Sequence, residues 1–149
     1  MRRQSLLTGV LLAAFAAVAV PAGAQSARAL YLLKCSGCHR ADGQGAAEAG
    51  VPPFPGFIGD LARDPGGRTY MLHVPGVASS GLSDADLTIV LNYLLDRWSA
   101  APVDRIQRFT PGEVATLRAV DVSDIVKYRR TLVARLRKTG AAIAEYPWP

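Results

Sequence analysis

Five consecutive residues, Cys35-Ser36-Gly37-Cys38-His39, constrain this chain more than anything else in it. Two thiols three positions apart, with an imidazole directly after them, are the spacing of covalent haem attachment. The sulfurs can form thioethers to the two vinyl groups of one porphyrin. The His is then held beneath the iron, where a neutral ring nitrogen serves as the proximal axial ligand. The chain has 2 cysteines and 2 histidines in 149 residues, too few for a disulfide framework or for two Cys-x-x-Cys halves of a zinc site. A thioredoxin-like redox pair would need a surrounding βαβ pattern, which is missing. A disulfide within the pair would leave His39 without a role. One covalent haem is expected.

The N-terminus reads as a targeting segment. Met1-Arg2-Arg3 is a basic start, Leu6 to Val20 is largely apolar, and Pro21-Ala22-Gly23-Ala24 supplies the small residues of a cleavage site. A signal peptide over residues 1–24 is expected, with the mature chain starting at Gln25. The apolar run is shorter than the roughly 20 residues of a membrane span; an uncleaved anchor is the competing reading.

Charge divides the rest of the chain. Residues 25–100 carry 6 Lys+Arg against 7 Asp+Glu, whereas residues 101–149 carry 9 against 5. The positive excess is not interleaved with stacking aromatics, which argues against a nucleic-acid surface. The chain shows no internal repeats or low-complexity tracts.

Ser26 is placed to cap a helix that runs through Leu30, Tyr31 and Lys34 into Cys35. Tyr31 stands one turn above Cys35 and is expected to pack in the core. Val51 to Asp60 holds three prolines and two glycines and is expected to be irregular. Asp64-Pro65 can open a helix through Arg68, Tyr70, Met71 and His73, ended by Val74-Pro75-Gly76. Ser83 caps the clearest helix, with Leu87, Val90, Leu91, Leu94 and Trp98 on one stripe. After a linker at Ala100-Ala101-Pro102, Thr110-Pro111-Gly112-Glu113 is a capping box that opens a helix through Ala119. A longer basic amphipathic helix spans Ser123 to Thr139 and is stopped by Gly140. Its apolar side suits packing on its own domain; a membrane-lying or partner-binding role is the alternative.

Tyr31-x-x-x-Cys35-x-x-Cys38-His39, then Asp42-Gly43-Gln44-Gly45, and later Leu82-Ser83-Asp84 with Tyr93-Leu94, resemble a class I c-type cytochrome over about residues 26–99. The resemblance implies an all-α domain of about four helices around one haem c, covering residues 25–100. A C-terminal helical extension follows over residues 101–149. It implies that a proline carbonyl, Pro52 or else Pro53, accepts a hydrogen bond from the proximal His39, a contact that fixes tautomer and basicity. Phe54 and Phe57 would pack on the haem edge. Arg68 is either a solvated charge or a partner for a haem propionate.

The distal ligand is where this chain departs from the family. Ordinary members place a Met shortly before the last helix, but no Met lies between Pro75 and Leu82. His73 and Met71 are the candidates, with His73 favoured. They are two residues apart and point in different directions on a helix. A thioether would give a higher reduction potential than a second imidazole.

The function that the resemblance implies is periplasmic single-electron transfer, with a dehydrogenase or a terminal oxidase as partner and no enzymatic step of its own. The basic extension is a candidate docking element; membrane contact is not required. The alternative is a haem-based sensor or haem enzyme with an open or displaceable distal site. The domain over residues 25–100 is expected to fold without the extension.

Overall fold

The computed structural model describes residues 26–100 and 102–144. The expected signal peptide and the Tyr146-Pro147-Trp148-Pro149 tail lie outside the described residues. Among those described, the regular structure is helical, with a single isolated bridge between Ala46 and Val51. The expected all-α class is what the chain adopts.

Helix α1 spans Ala27–Lys34, and the hydroxyl of Ser26 accepts from the Ala29 N–H. The short helix α2, Ser36–His39, carries the motif. Ile58–Arg63 forms α3, so the end of the stretch expected to be irregular is helical. The helix starts just after Gly56, once the prolines of the run are behind it. Asp64 caps α4, Pro65–His73, by accepting from Gly67, with Pro65 at the first position where no N–H is needed. A single turn, α5, covers Pro75–Ala78. Ser83 then caps α6, Asp84–Trp98, through its hydroxyl and Asp86.

Leu30 and Tyr31 of α1 pack across Leu87, Leu91, Leu94, Leu95 and Trp98 of α6, and this crossing is the centre of the core. Met71 and Leu72 join it from α4. None of the described helices is long and apolar enough to cross a membrane.

Residues beyond 101 pack closely on this frame. Helix α7, Pro111–Arg118, is capped by Thr110, and α8, Ile125–Arg137, by Asp124, one residue later than expected. Ile106, Phe109 and Val114 enter the same buried cluster as the α1–α6 crossing. The Asn92 amide donates to the Phe109 carbonyl and accepts from the Phe109 N–H, at 3.0 and 2.9 Å. The apolar side of α8 is used internally: Leu132 and Leu136 form a second cluster with Tyr70 of α4 and with Ile143.

Candidate haem-attachment site

The motif sits where α1 ends. The Cys35 N–H closes α1 on the Tyr31 carbonyl at 2.9 Å, and the His39 N–H bonds the Cys35 carbonyl at 3.0 Å. Both cysteines are free thiols, Cys35 half-buried and Cys38 exposed. Burial, with Cys38 alongside, pushes the Cys35 thiol up to about 11. A redox-active pair works through a depressed thiol, so this environment is the opposite of an oxidoreductase's.

The chain must turn sharply to bring Pro52 back over His39. Arg40 (φ 61°) opens the turn. Gly45 (φ 68°) is required there twice over: a Cβ would lie 2.4 Å from the Val51 carbonyl oxygen and 2.6 Å from that of Pro52. The closed loop sets the Pro52 oxygen 3.1 Å from His39 Nδ1. A carbonyl only accepts, so Nδ1 carries the proton and Nε2 presents its lone pair. Burial lowers the His39 pKa, against the opposing effect of the Pro52 bond, and the neutral, ligating form is favoured. Of the two prolines expected to meet His39, Pro52 is the one whose carbonyl does so.

Phe54 lies flat on the imidazole, ring centroids 4.0 Å apart at 20°. Its other neighbours are Trp98 at 5.7 Å and Tyr31 at 6.4 Å. Tyr31 is fully buried and donates to the Arg40 carbonyl at 2.5 Å, tying α1 to the turn after the motif. Burial raises its phenol far above the ordinary value. Phe57, at the start of α3, contributes its N–H to the Phe54 carbonyl.

The expectations for Arg68 both give way. Its side chain is 7% exposed, so it is not a solvated charge. Its Nε and Nη2 hold both oxygens of Glu113 at 2.6 Å, and Nη1 donates to the carbonyls of Ala62 and Gln107. The guanidinium also lies 3.7 Å above the Phe109 ring. Its donors are directed to the extension and α3, which leaves no fork for a propionate. Glu113, read as the far half of a capping box, sends its carboxylate to Arg68 while Thr110 still caps its N–H.

His73 and Met71 diverge as helical spacing requires. The His73 ring nitrogens face two backbone carbonyls, Nδ1 to Thr69 at 2.8 Å and Nε2 to Val120 at 2.9 Å. Met71 is 5% exposed within the apolar cluster that Cys35, Phe54 and Tyr93 pack against. Two open clefts of about 460 and 450 Å³ are lined by α3, α4 and the C-terminal elements, away from Cys35 and His39. Chemistry, not cavity size, locates the site.

The donor set fits a haem. Among the described residues no group of three or more His, Cys, Asp or Glu could hold a bare metal ion, whereas a porphyrin brings four nitrogens of its own. Two free thiols and one oriented imidazole are what it needs from the protein. The arrangement defines a helical protein built for covalent haem.

The sequence profile of the cytochrome c family matches residues 24–98. The chain is 32% identical over 115 residues to a cytochrome c-552 of Thermus thermophilus, spanning 64% of this chain and 77% of the relative. A second Thermus thermophilus cytochrome c-552 is 31% identical over 105 residues, 58% of this chain and 79% of the relative. No solved structure matches. The chain belongs to the cytochrome c family, as a monohaem class I domain, and its cofactor is one covalent haem c. It is an electron-transfer protein that works with protein redox partners.

Proposed function

We propose that this protein is a periplasmic carrier that takes single electrons from a periplasmic dehydrogenase, or passes them to a respiratory oxidoreductase. The observation that supports this most directly is the 3.1 Å contact between His39 Nδ1 and Pro52 beside two free thiols. The haem, when bound, supplies the one-electron iron couple. Cys35 and Cys38 would tether it, and His39 would present Nε2 to the iron. Pro52 would hold the proton on Nδ1, fixing the ring and raising its basicity. Phe54, Tyr31 and Trp98 exclude water from that side and keep the imidazole from rotating. The motif end of α2, with Cys38 exposed, would be the edge through which electrons pass.

Export to the periplasm rests on the reading of residues 1–24. Docking rests on the basic outer face of α8, where Lys127, Arg130, Arg137 and Lys138 are exposed. Such a face steers an acidic partner and makes association fall with salt. The decisive experiment expresses the full chain with cytochrome c maturation factors and fractionates the cells. Covalent haem in the periplasmic fraction, titrating reversibly as one electron, is the expected result. Apoprotein retained in the cytoplasm would overturn it.

A second reading, a haem sensor or haem enzyme with an open distal site, is favoured by one observation. Residues 74–83, which join α4 to α6, include no Met, His, Lys or Cys. Fast carbon monoxide binding to the reduced protein would favour it over the carrier.

A further inference from the structure

We propose that the cleft where the C-terminal extension closes on α3 and α4 is a binding site for a small aliphatic carboxylate, with Arg105 as the residue that takes the acid group. The site is separate from the haem-attachment motif. It rests on a surplus of charge, on an unused buried donor and on the character of the lining.

The cleft encloses about 460 Å³, and Arg63, Arg68 and Arg105 line it against a single acid, Glu113. Arg63 is paired with Asp60 at 2.8 Å, and Arg68 holds both oxygens of Glu113. Arg105 ends the short helical turn Val103–Arg105 and is exposed. Among the described residues its guanidinium has no hydrogen bond or ion pair. Its charge is the surplus of the cleft, on a fork shaped for a carboxylate.

Beneath it lies the unused donor. A guanidinium has five N–H bonds to give. Arg68 spends two on the Glu113 oxygens and two on the carbonyls of Ala62 and Gln107. The remaining Nη2–H has no acceptor among the described residues, although Arg68 is only 6% exposed. Buried donors are normally satisfied, and this one belongs to a side chain that borders the cleft. An acid oxygen held there would complete it.

The lining sets the body of the ligand. Pro65 and Leu117 supply apolar surface, and no aromatic ring borders the cleft, so nothing there stacks on a nucleobase. The second cleft makes the contrast. It is bordered by Asp121 and Asp124 against Lys127 and Arg135, and Arg135 is already bound to Asp64. That cleft has no positive surplus. The first also joins two parts of the chain: Arg63 and Arg68 precede residue 100, and Arg105 follows it. A carboxylate between them favours the seated extension by mass action.

The test titrates the full-length, haem-loaded protein with succinate, with chloride holding the ionic strength constant. Calorimetry reads the binding and urea unfolding reads the midpoint. Saturable binding at one site and a midpoint that rises with succinate are expected. Inorganic phosphate, which has the charge but no aliphatic body, should bind more weakly. Arg105→Gln should weaken succinate binding at least ~10-fold, the scale of one charge-assisted hydrogen bond, with the haem spectrum unchanged. Arg105→Lys should recover part of the loss, and Lys127→Gln, in the second cleft, should bind as wild type does. Absence of saturable binding overturns the site, as does undiminished binding in Arg105→Gln or an equal loss in Lys127→Gln. Tighter binding of phosphate than of succinate overturns the carboxylate.

Discussion

Residues 26–100 and residues 102–144 are held in place by different physics. The first part is an apolar crossing: α1 and α6 bring stripes of Leu and aromatic side chains together, and the motif hangs from one end of it. The second part is attached by mixed contacts. Some are apolar, through Phe109, Val114 and Leu132, but each of its main anchors includes a directed polar bond: Arg68 to Glu113, Asn92 to Phe109, Asp64 to Arg135. Apolar packing tolerates small shifts. Bidentate ion pairs and paired amide bonds do not, and they specify one seating of the extension. The first region carries the motif; the second is tied to the two ends of α4 and to α6 by directed bonds.

Cutting this difference open gives four expected outcomes. The largest is loss of the cofactor: Cys35→Ala with Cys38→Ala should abolish haem that survives acid-acetone extraction, and retention would break the whole reading. Next comes truncation after Ala100. The sequence suggests an independent domain, but the cut removes Ile106, Phe109 and Val114 from the shared core, each worth about 1.5–3 kcal/mol of burial. It also leaves Arg68 without its carboxylate. A truncated protein is expected to be strongly destabilised in urea, and an unchanged midpoint would show that the two regions do not share a core.

Third, Glu113→Ala in the full chain isolates the buried pair. Leaving Arg68 uncompensated should cost about 3 kcal/mol, less if water reaches it through the cleft beside Glu113. Arg68→Met with Glu113→Leu should recover much of that loss, and failure to recover would mean that Arg68 acts through the Ala62 and Gln107 carbonyls instead.

The smallest effect is at Asp64. Its carboxyl is held below the usual range chiefly by the hydrogen bond from Arg135, helped by the Gly67 N–H. A depressed carboxylate contributes stability above its unfolded value of about 3.9 and loses it as pH falls through the lower folded value. The stability gap between wild type and Arg135→Gln should therefore be present at neutral pH and close under acid. A gap that stays constant down to strongly acidic pH would detach the effect from Asp64.

Much of the first region was legible because its determinants are local. The Ser26, Asp64 and Ser83 caps each lie within three residues of the N–H they satisfy, as does Thr110 in the second region. The family motif named Pro52 as the partner of His39. What escaped sequence reasoning depends on residues far apart. Arg68 and Glu113 are 45 positions apart and His73 and Val120 are 47 apart, so each looked like a surface polar group or a ligand. One signal was available. Arg68 leads into the largely apolar stretch Tyr70-Met71-Leu72, and a lone Arg against such a stretch calls for a carboxylate partner. The capping-box Glu113 was the acid that supplied it, and reading it as a cap hid its second use.

Trp98 ends α6 with its ring seated directly over Gly43, where a Cβ would come within 2.7 Å of the indole. One ring further on, through Phe54, is His39. The consequence is optical. An indole this close to the motif histidine should have its fluorescence drained by energy transfer once the tetrapyrrole is in place. Trp148 is the other tryptophan of the chain, so a Trp148→Phe background would leave a single lamp. It would shine in the immature chain and go dark as maturation completes, an internal clock for haem attachment that requires no added label.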